Sequence, residues 1–187
     1  MLKKIVVLGP ESTGKSSLCK ALAMHYSTAW CPEFAREYLT TNGMGYGFDD
    51  LSVIAKGQLA LEDRYTAMLT EKQKKHTVST PAVGNAYLFI DTDMYVMKVW
   101  CEYVFGKCHF HILEEIVHRP YDLYLLCDID LAWANDPLRE YPDEKPRQEL
   151  YQIYKDILIN QSVPWVNISG HYAERTAKAI AAIEGMI

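Results

Sequence analysis

A chain of 187 residues, 49% hydrophobic and 23% charged, has ordinary globular composition, and a domain of that length buries roughly 70% of the surface its unfolded chain exposes. The formal net charge of −5 supplies no basic footprint for neutralising a phosphate backbone, which argues against DNA or RNA as the main ligand. Cys19, Cys31, Cys101, Cys108 and Cys127 are odd in number and never spaced C-x-x-C, which fits a reducing cytoplasm, and no apolar stretch approaches the ~20 residues needed to span a bilayer.

Along the chain, Ile5 to Leu8 is a short run of β-branched and aliphatic residues, the pattern of a parallel strand covered on both faces. The run stops after four residues at Gly9-Pro10-Glu11, so the N-terminus reads as a strand and not as an export signal. A helix is expected to start near Lys15, and Thr28 to Cys31 forms a second strand ahead of Glu33-Phe34-Ala35-Arg36-Glu37-Tyr38. From Leu51, the positions Ile54, Ala55, Leu61, Tyr65, Met68 and Leu69 recur at helical spacing up to the polar run Glu71 to Lys75. They predict one long amphipathic helix, with Gly57 a mild weak point.

Tyr87 to Ile90 predicts a third strand, ending in Asp91-Thr92-Asp93, and Tyr95 to Phe105 a helix closed by Gly106. Tyr121 to Cys127 predicts a fourth strand. The polar segment after it, about 129–147 with Pro137, Pro142 and Pro146, reads as an exposed lid. Leu150, Ile153, Tyr154, Ile157 and Leu158 mark a helix, Pro164 to Ile168 a fifth strand, and Tyr172, Thr176, Ile180 and Ile183 a closing helix. The fold class is therefore α/β. One domain over 1–187 is expected, a five-stranded parallel sheet with helices on both faces and ligands beyond the carboxyl ends of the strands.

Gly9-Pro10-Glu11-Ser12-Thr13-Gly14-Lys15-Ser16 matches G-x-x-x-x-G-K-[ST] between a strand and a helix, the context a phosphate-binding loop requires. The glycines let the backbone wrap a phosphate so that amide N–H groups and the positive helix end face the anion. Glu11, Ser12, Thr13, Gly14, Lys15, Ser16 and Ser17 are the expected contacts to ATP. Lys15 reaches the β- and γ-phosphates and Ser16 offers its hydroxyl to Mg²⁺. The acidic partner of the metal is expected to be Asp91, at a strand end, directly or through water.

Asp93 has two readings: an N-cap for the helix beginning at Met94, or a base that orients a substrate hydroxyl. Glu33, Arg36 and Glu37 are either a solvated helix face or an acceptor site. Arg139 and Arg147 are either solvated lid charges or groups that close over the transferred phosphate. Trp133 can stack on a base or pack on the core. Cys108, His109 and His111 are too few and too irregularly spaced for a zinc site, and Ser169-Gly170-His171 reads as a loop entering a helix.

Gly-Pro-Glu-Ser-Thr-Gly-Lys-Ser, Glu-Phe-Ala-Arg-Glu-Tyr, Phe-Ile-Asp-Thr-Asp and the lid sequence Asp-Pro-Leu-Arg together resemble the ribosylnicotinamide kinase domain of bifunctional bacterial NadR proteins, in order and spacing over nearly the whole chain. The resemblance implies a P-loop kinase core that phosphorylates the ribose 5′-hydroxyl of nicotinamide riboside with ATP. The resemblance covers the kinase domain alone, and no H-x-G-H signature of adenylyl transfer occurs in these 187 residues. Another nucleoside or nucleotide kinase, a simple NTPase, or a regulatory module that binds ATP with little turnover remain open.

Overall fold

The computed structural model describes residues 2–77 and 86–186. The elements alternate as β1 (Leu2–Leu8), α1 (Lys15–His25), β2 (Trp30–Cys31), α2 (Phe34–Asn42), α3 (Phe48–Thr77), β3 (Ala86–Asp91), α4 (Met94–Phe105), α5 (Phe110–His118), β4 (Leu123–Cys127), α6 (Glu144–Ile159), β5 (Trp165–Ile168) and α7 (Tyr172–Glu184). The strands form one parallel sheet in the order β2-β3-β1-β4-β5. The expected five-stranded parallel α/β architecture is therefore the observed one.

Ile5, Val6, Val7 and Leu8 of the central strand are all almost completely buried. Alternate residues of that strand enter opposite cores. Ile5 and Val7 pack with Leu18, Leu22 and Ile183 under α1 and α7, whereas Val6 and Leu8 pack with Val96, Val99, Tyr154 and Leu158 under α4 and α6. Burial of each such side chain stabilises the fold by about 1.5–3 kcal/mol. A third cluster joins α2 to α5 through Leu51, Ile54, Met97 and Ile112.

Several elements depart from expectation. Thr28 and Ala29 do not join β2: the Thr28 amide still closes α1 by donating to the Ala23 carbonyl, Ser27 takes φ 51°, and the Thr28 hydroxyl donates to the Tyr87 carbonyl. Tyr121 and Asp122 precede β4, with Asp122 bound through its carboxylate to Lys3 and the Lys4 amide. The short helix α5 lies outside the expected elements, although Ile112 and Ile116, four residues apart, form its packed face. Finally, α6 begins at Glu144, with Pro146 in its first turn where proline is tolerated, so the lid ends before Arg147. The side chain of Lys75, in the expected polar run, lies outside the described residues.

Gly57 is not merely a weak point. A Cβ at this position would stand 2.1 Å from the Phe34 ring, so α2 and α3 approach as closely as they do because the side chain is a hydrogen. Gly57→Ala normally gains about 1 kcal/mol of helix propensity, but overpacking against the ring costs about 1–3 kcal/mol. Thermal melting should give a lower Tm for Gly57→Ala than for the wild type; a higher Tm would mean that Phe34 yields freely.

Candidate active site

The loop from Gly9 to Gly14 leaves the carboxyl end of β1 and turns into α1. Gly9 has φ 142°, and a Cβ there would lie 2.7 Å from the Cys127 carbonyl oxygen of β4, so the chain passes only as glycine. Thr13 is fully buried, its hydroxyl donating to the Pro10 carbonyl at 2.7 Å. Lys15 folds back over the loop, with Nζ donating to the same carbonyl at 2.9 Å. The first turn of α1 contains neither a side-chain cap nor an acidic residue, which leaves its positive end to an anion.

Register places Asp91, the last residue of β3, beside Val7 of β1 and hence beside the loop. Its carboxylate is buried. Oδ2 accepts from the Ser16 hydroxyl at 2.5 Å, and Oδ1 has no hydrogen-bond partner. Burial raises its pKa, opposed first by the Lys15 charge and then by the Ser16 bond. A buried oxygen left unpartnered beside an alcohol suits a hard cation, which takes oxygen ligands. No group of three or more His, Cys, Asp or Glu among the described residues is placed to hold a metal, so phosphates and water would supply the remaining ligands of Mg²⁺ at Ser16 and Asp91. His109 stacks on Phe48 at 3.8 Å and its Nε2 meets the Phe48 carbonyl, whereas the buried Nε2 of His111 has no hydrogen-bond partner.

Two adjoining cavities open beyond the strand ends. The first is bounded by Glu11 to Ser17, with Glu33, Arg36 and Arg139 facing them. The second is apolar, walled by Val96, Val99, Tyr103, Tyr141, Leu150 and Tyr154. Glu11, Lys15, Glu33 and Trp100 border both. Glu33 is the residue before α2 and its side chain caps nothing. Burial pushes its pKa up to about 6, with the Asp91 charge adding to the effect and Lys15 and Arg36 opposing it. Glu37 is exposed and borders neither cavity.

Asp93 does not point into this crevice as expected. Thr92, at φ 85°, turns the chain after β3, and the buried Asp93 carboxylate accepts from the Val96 amide and the Tyr124 hydroxyl, both at 3.2 Å. The helix-cap reading is the observed geometry. Burial raises its pKa to about 7, against the pull of those two bonds.

The lid lies across the phosphate loop. Ser12 accepts from the Ala134 amide at 2.8 Å and from Arg139 Nη1 at 3.2 Å, while Arg36 pairs with Asp136 at 2.8 Å. Arg147 does not join Arg139. It is buried on α6, reaching the Leu131 carbonyl at 3.3 Å with Nε unpartnered, and it borders neither cavity, which corrects its expected place over the phosphates. Trp133 faces both guanidiniums, at 5.6 Å from Arg147 and 5.7 Å from Arg139. Sequence reasoning missed Arg175, which is buried on α7 and donates to the Thr13, Gly170 and Asp128 carbonyls and to the Asp130 carboxylate. Ser169-Gly170-His171 is indeed a loop entering α7, with the His171 amide bound to Glu174 at 2.8 Å.

A central phosphate-binding loop, a parallel sheet ordered 2-3-1-4-5 and a lid over the strand ends define a P-loop protein of kinase-type fold. Residues 4–175 match the AAA domain, and the chain belongs to that family. It is similar to the trifunctional NAD biosynthesis/regulator protein NadR of Escherichia coli K12, 22% identical over 187 residues, and to that of Salmonella typhimurium LT2, 23% identical over 191 residues. These relatives are trifunctional, where the resemblance suggested bifunctional proteins. The chain is covered completely in both comparisons but spans only 43% of each relative. Among solved structures, a NadR protein in complex with NR superposes with a TM-score of 0.70 and 23% identity, over 98% of this chain and 49% of that one. Thymidylate kinase from Ehrlichia chaffeensis gives 0.64 and 13%, over 97% and 98%.

The raised pKa of Asp93 has a stability consequence. A carboxyl whose pKa rises on folding, here from 3.8 to about 7, stabilises the fold fully at pH values below the lower figure, and loses that contribution as pH rises through the higher one. Asp93→Asn keeps a cap oxygen and a partner for Tyr124 without titrating. Between pH 6 and 8 the wild-type Tm is expected to fall more than that of Asp93→Asn. Parallel profiles would place the Asp93 pKa outside this window.

Proposed function

We propose that this chain is an ATP-dependent kinase of a small nucleoside, converting nicotinamide riboside to its mononucleotide in the cytoplasm, with Mg²⁺ as cofactor. The observation that carries the reading is that Lys15 and Glu33 stand where the phosphate loop meets the apolar cavity, bordering both. A phosphoryl donor on the loop and an acceptor in the cavity would then share one boundary. NadR proteins, one of them in complex with NAD and AMP-PNP, have the same fold, which supports the reading.

The walls of the second cavity suit a flat cationic ring. Tyr103 and Tyr141 meet edge to face at 5.4 Å, and the carboxylates of Glu11 and Glu33 lie at its polar end. Nicotinamide riboside carries its positive charge on the pyridinium ring, which tyrosine faces and carboxylates both attract. No helix among the described residues is long and apolar enough to cross a membrane, and the five cysteines are free, as a reducing compartment favours.

In the reaction, Glu33 accepts the proton of the ribose 5′-hydroxyl as that oxygen bonds to the γ-phosphorus. The bond from phosphorus to the β,γ-bridging oxygen breaks and ADP leaves. Lys15 and the loop amides hold the charge spread over the phosphoryl oxygens, and Arg139, beside Ser12, closes the same side. Ser16 and Asp91 would hold Mg²⁺, which would supply neutralisation of phosphate charge. Arg36, which borders only the loop cavity and pairs with Asp136, faces the phosphates from the opposite wall. The catalysis is positioning and charge stabilisation with no covalent intermediate.

Coupled ADP release with Mg-ATP should depend on riboside and vanish in Lys15→Ala. Glu33→Gln should lower kcat by about 10²- to 10⁴-fold, whereas Asp93→Asn should stay near wild type. Because the base acts when ionised, the wild-type rate should fall as pH drops through about 6. Equal losses in Glu33→Gln and Asp93→Asn would move the base away from Glu33, and riboside-independent ADP release would remove the kinase assignment.

A further inference from the structure

Glu140 of the lid is tied twice. Its amide and that of Tyr141 donate to Glu11 Oε2 of the phosphate loop, at 2.9 and 3.1 Å. Its carboxylate accepts from the Tyr46 hydroxyl at 2.8 Å. Tyr46, in the loop between α2 and α3, accepts in turn from the Trp100 indole N–H at 2.9 Å, with the two rings edge to face at 5.1 Å. Trp100 borders both cavities, and Tyr46 borders neither. An unbroken series of hydrogen bonds therefore runs from the cavity wall to the lid and on to the phosphate loop.

The direction of this relay is fixed by chemistry. Trp100 can only donate, Glu140 when ionised can only accept, and the one Tyr46 hydroxyl does both. Burial raises the Tyr46 pKa, so the hydroxyl keeps its proton at neutral pH. The loop has glycine at 43, 45 and 47, and a Cβ at the first two would meet nothing within 4 Å, which leaves its backbone room to follow the lid.

We infer that Tyr46 is a positioning residue that makes lid closure respond to occupancy of the acceptor cavity. A nucleoside resting on Trp100 fixes the indole, the indole fixes the Tyr46 hydroxyl, and the hydroxyl holds Glu140 and hence the segment that carries Arg139. The nucleoside shifts the lid only so far as it binds the closed arrangement better than the open one. This inference rests on the apolar cavity being the acceptor site.

The test is hydrogen exchange of lid residues 134–142, with nicotinamide riboside as the probe at concentrations that saturate each protein, run beside ADP release with Mg-ATP. In the wild type, riboside should slow exchange of the Glu140 and Tyr141 amides about tenfold, the scale of one hydrogen bond to a charged group. Tyr46→Phe keeps the ring and should lose both this slowing and about tenfold in kcat. Glu140→Ala should repeat the loss from the lid side, and Glu140→Gln, which keeps an acceptor oxygen, should restore most of it. Equal slowing in wild type and Tyr46→Phe, or none in the wild type, overturns the relay. Slowing that depends on Tyr46 without phosphoryl transfer upholds the relay and rejects the kinase reading; transfer without such slowing does the reverse.

Discussion

Asp91 places a carboxylate out of water with one oxygen bound to Ser16 and the other bound to nothing. An ionised group in that condition is unfavourable by several kcal/mol unless charge nearby compensates it. Lys15 provides part of that compensation, and a cation between Ser16 and Asp91 would provide the rest. The remainder of the site follows from this requirement. Parallel pairing of β1 with β3 sets Asp91 beside the loop, Gly9 lets the loop pass β4, and Arg175 ties the loop carbonyl of Thr13 to the turn after β4.

Glu33, Asp91 and Asp93 all have pKa values raised by burial, so each opposes folding as it ionises. Shifted pKa values of this kind concentrate at functional sites, and these three carboxylates lie at the carboxyl end of the sheet. Asp93 shows how the same physical cause serves two ends: its neighbours are a helix amide and a tyrosine, which make it a cap, whereas Glu33 caps nothing and faces two cavities. Environment, not residue type, separates the two carboxylates.

The phosphate loop was legible because each of its fixed residues answers a local demand, a positive φ, a reach or a hydroxyl. The strands were legible as apolar runs. Asp91 was legible as a strand end, but the left-handed Thr92 that turns Asp93 away leaves no compositional mark. Pro146 reads as a lid residue by composition but stands in the first turn of α6, which carries Arg147 out of the lid. Arg175 and Tyr46 act through partners far off in sequence, Thr13 across 162 positions and Glu140 across 94, and no local pattern foretells such pairs.

The phosphate loop, the apolar cavity and the lid meet around one shared boundary at Lys15 and Glu33. The central claim is that a phosphoryl group crosses that boundary to a nucleoside and is not lost to water. The most direct measurement is the fate of the γ-phosphate, followed by ³¹P NMR and mass spectrometry of a reaction with Mg-ATP and nicotinamide riboside. The account predicts one riboside monophosphate for every ADP formed. ADP accompanied by inorganic phosphate and unmodified riboside would contradict it.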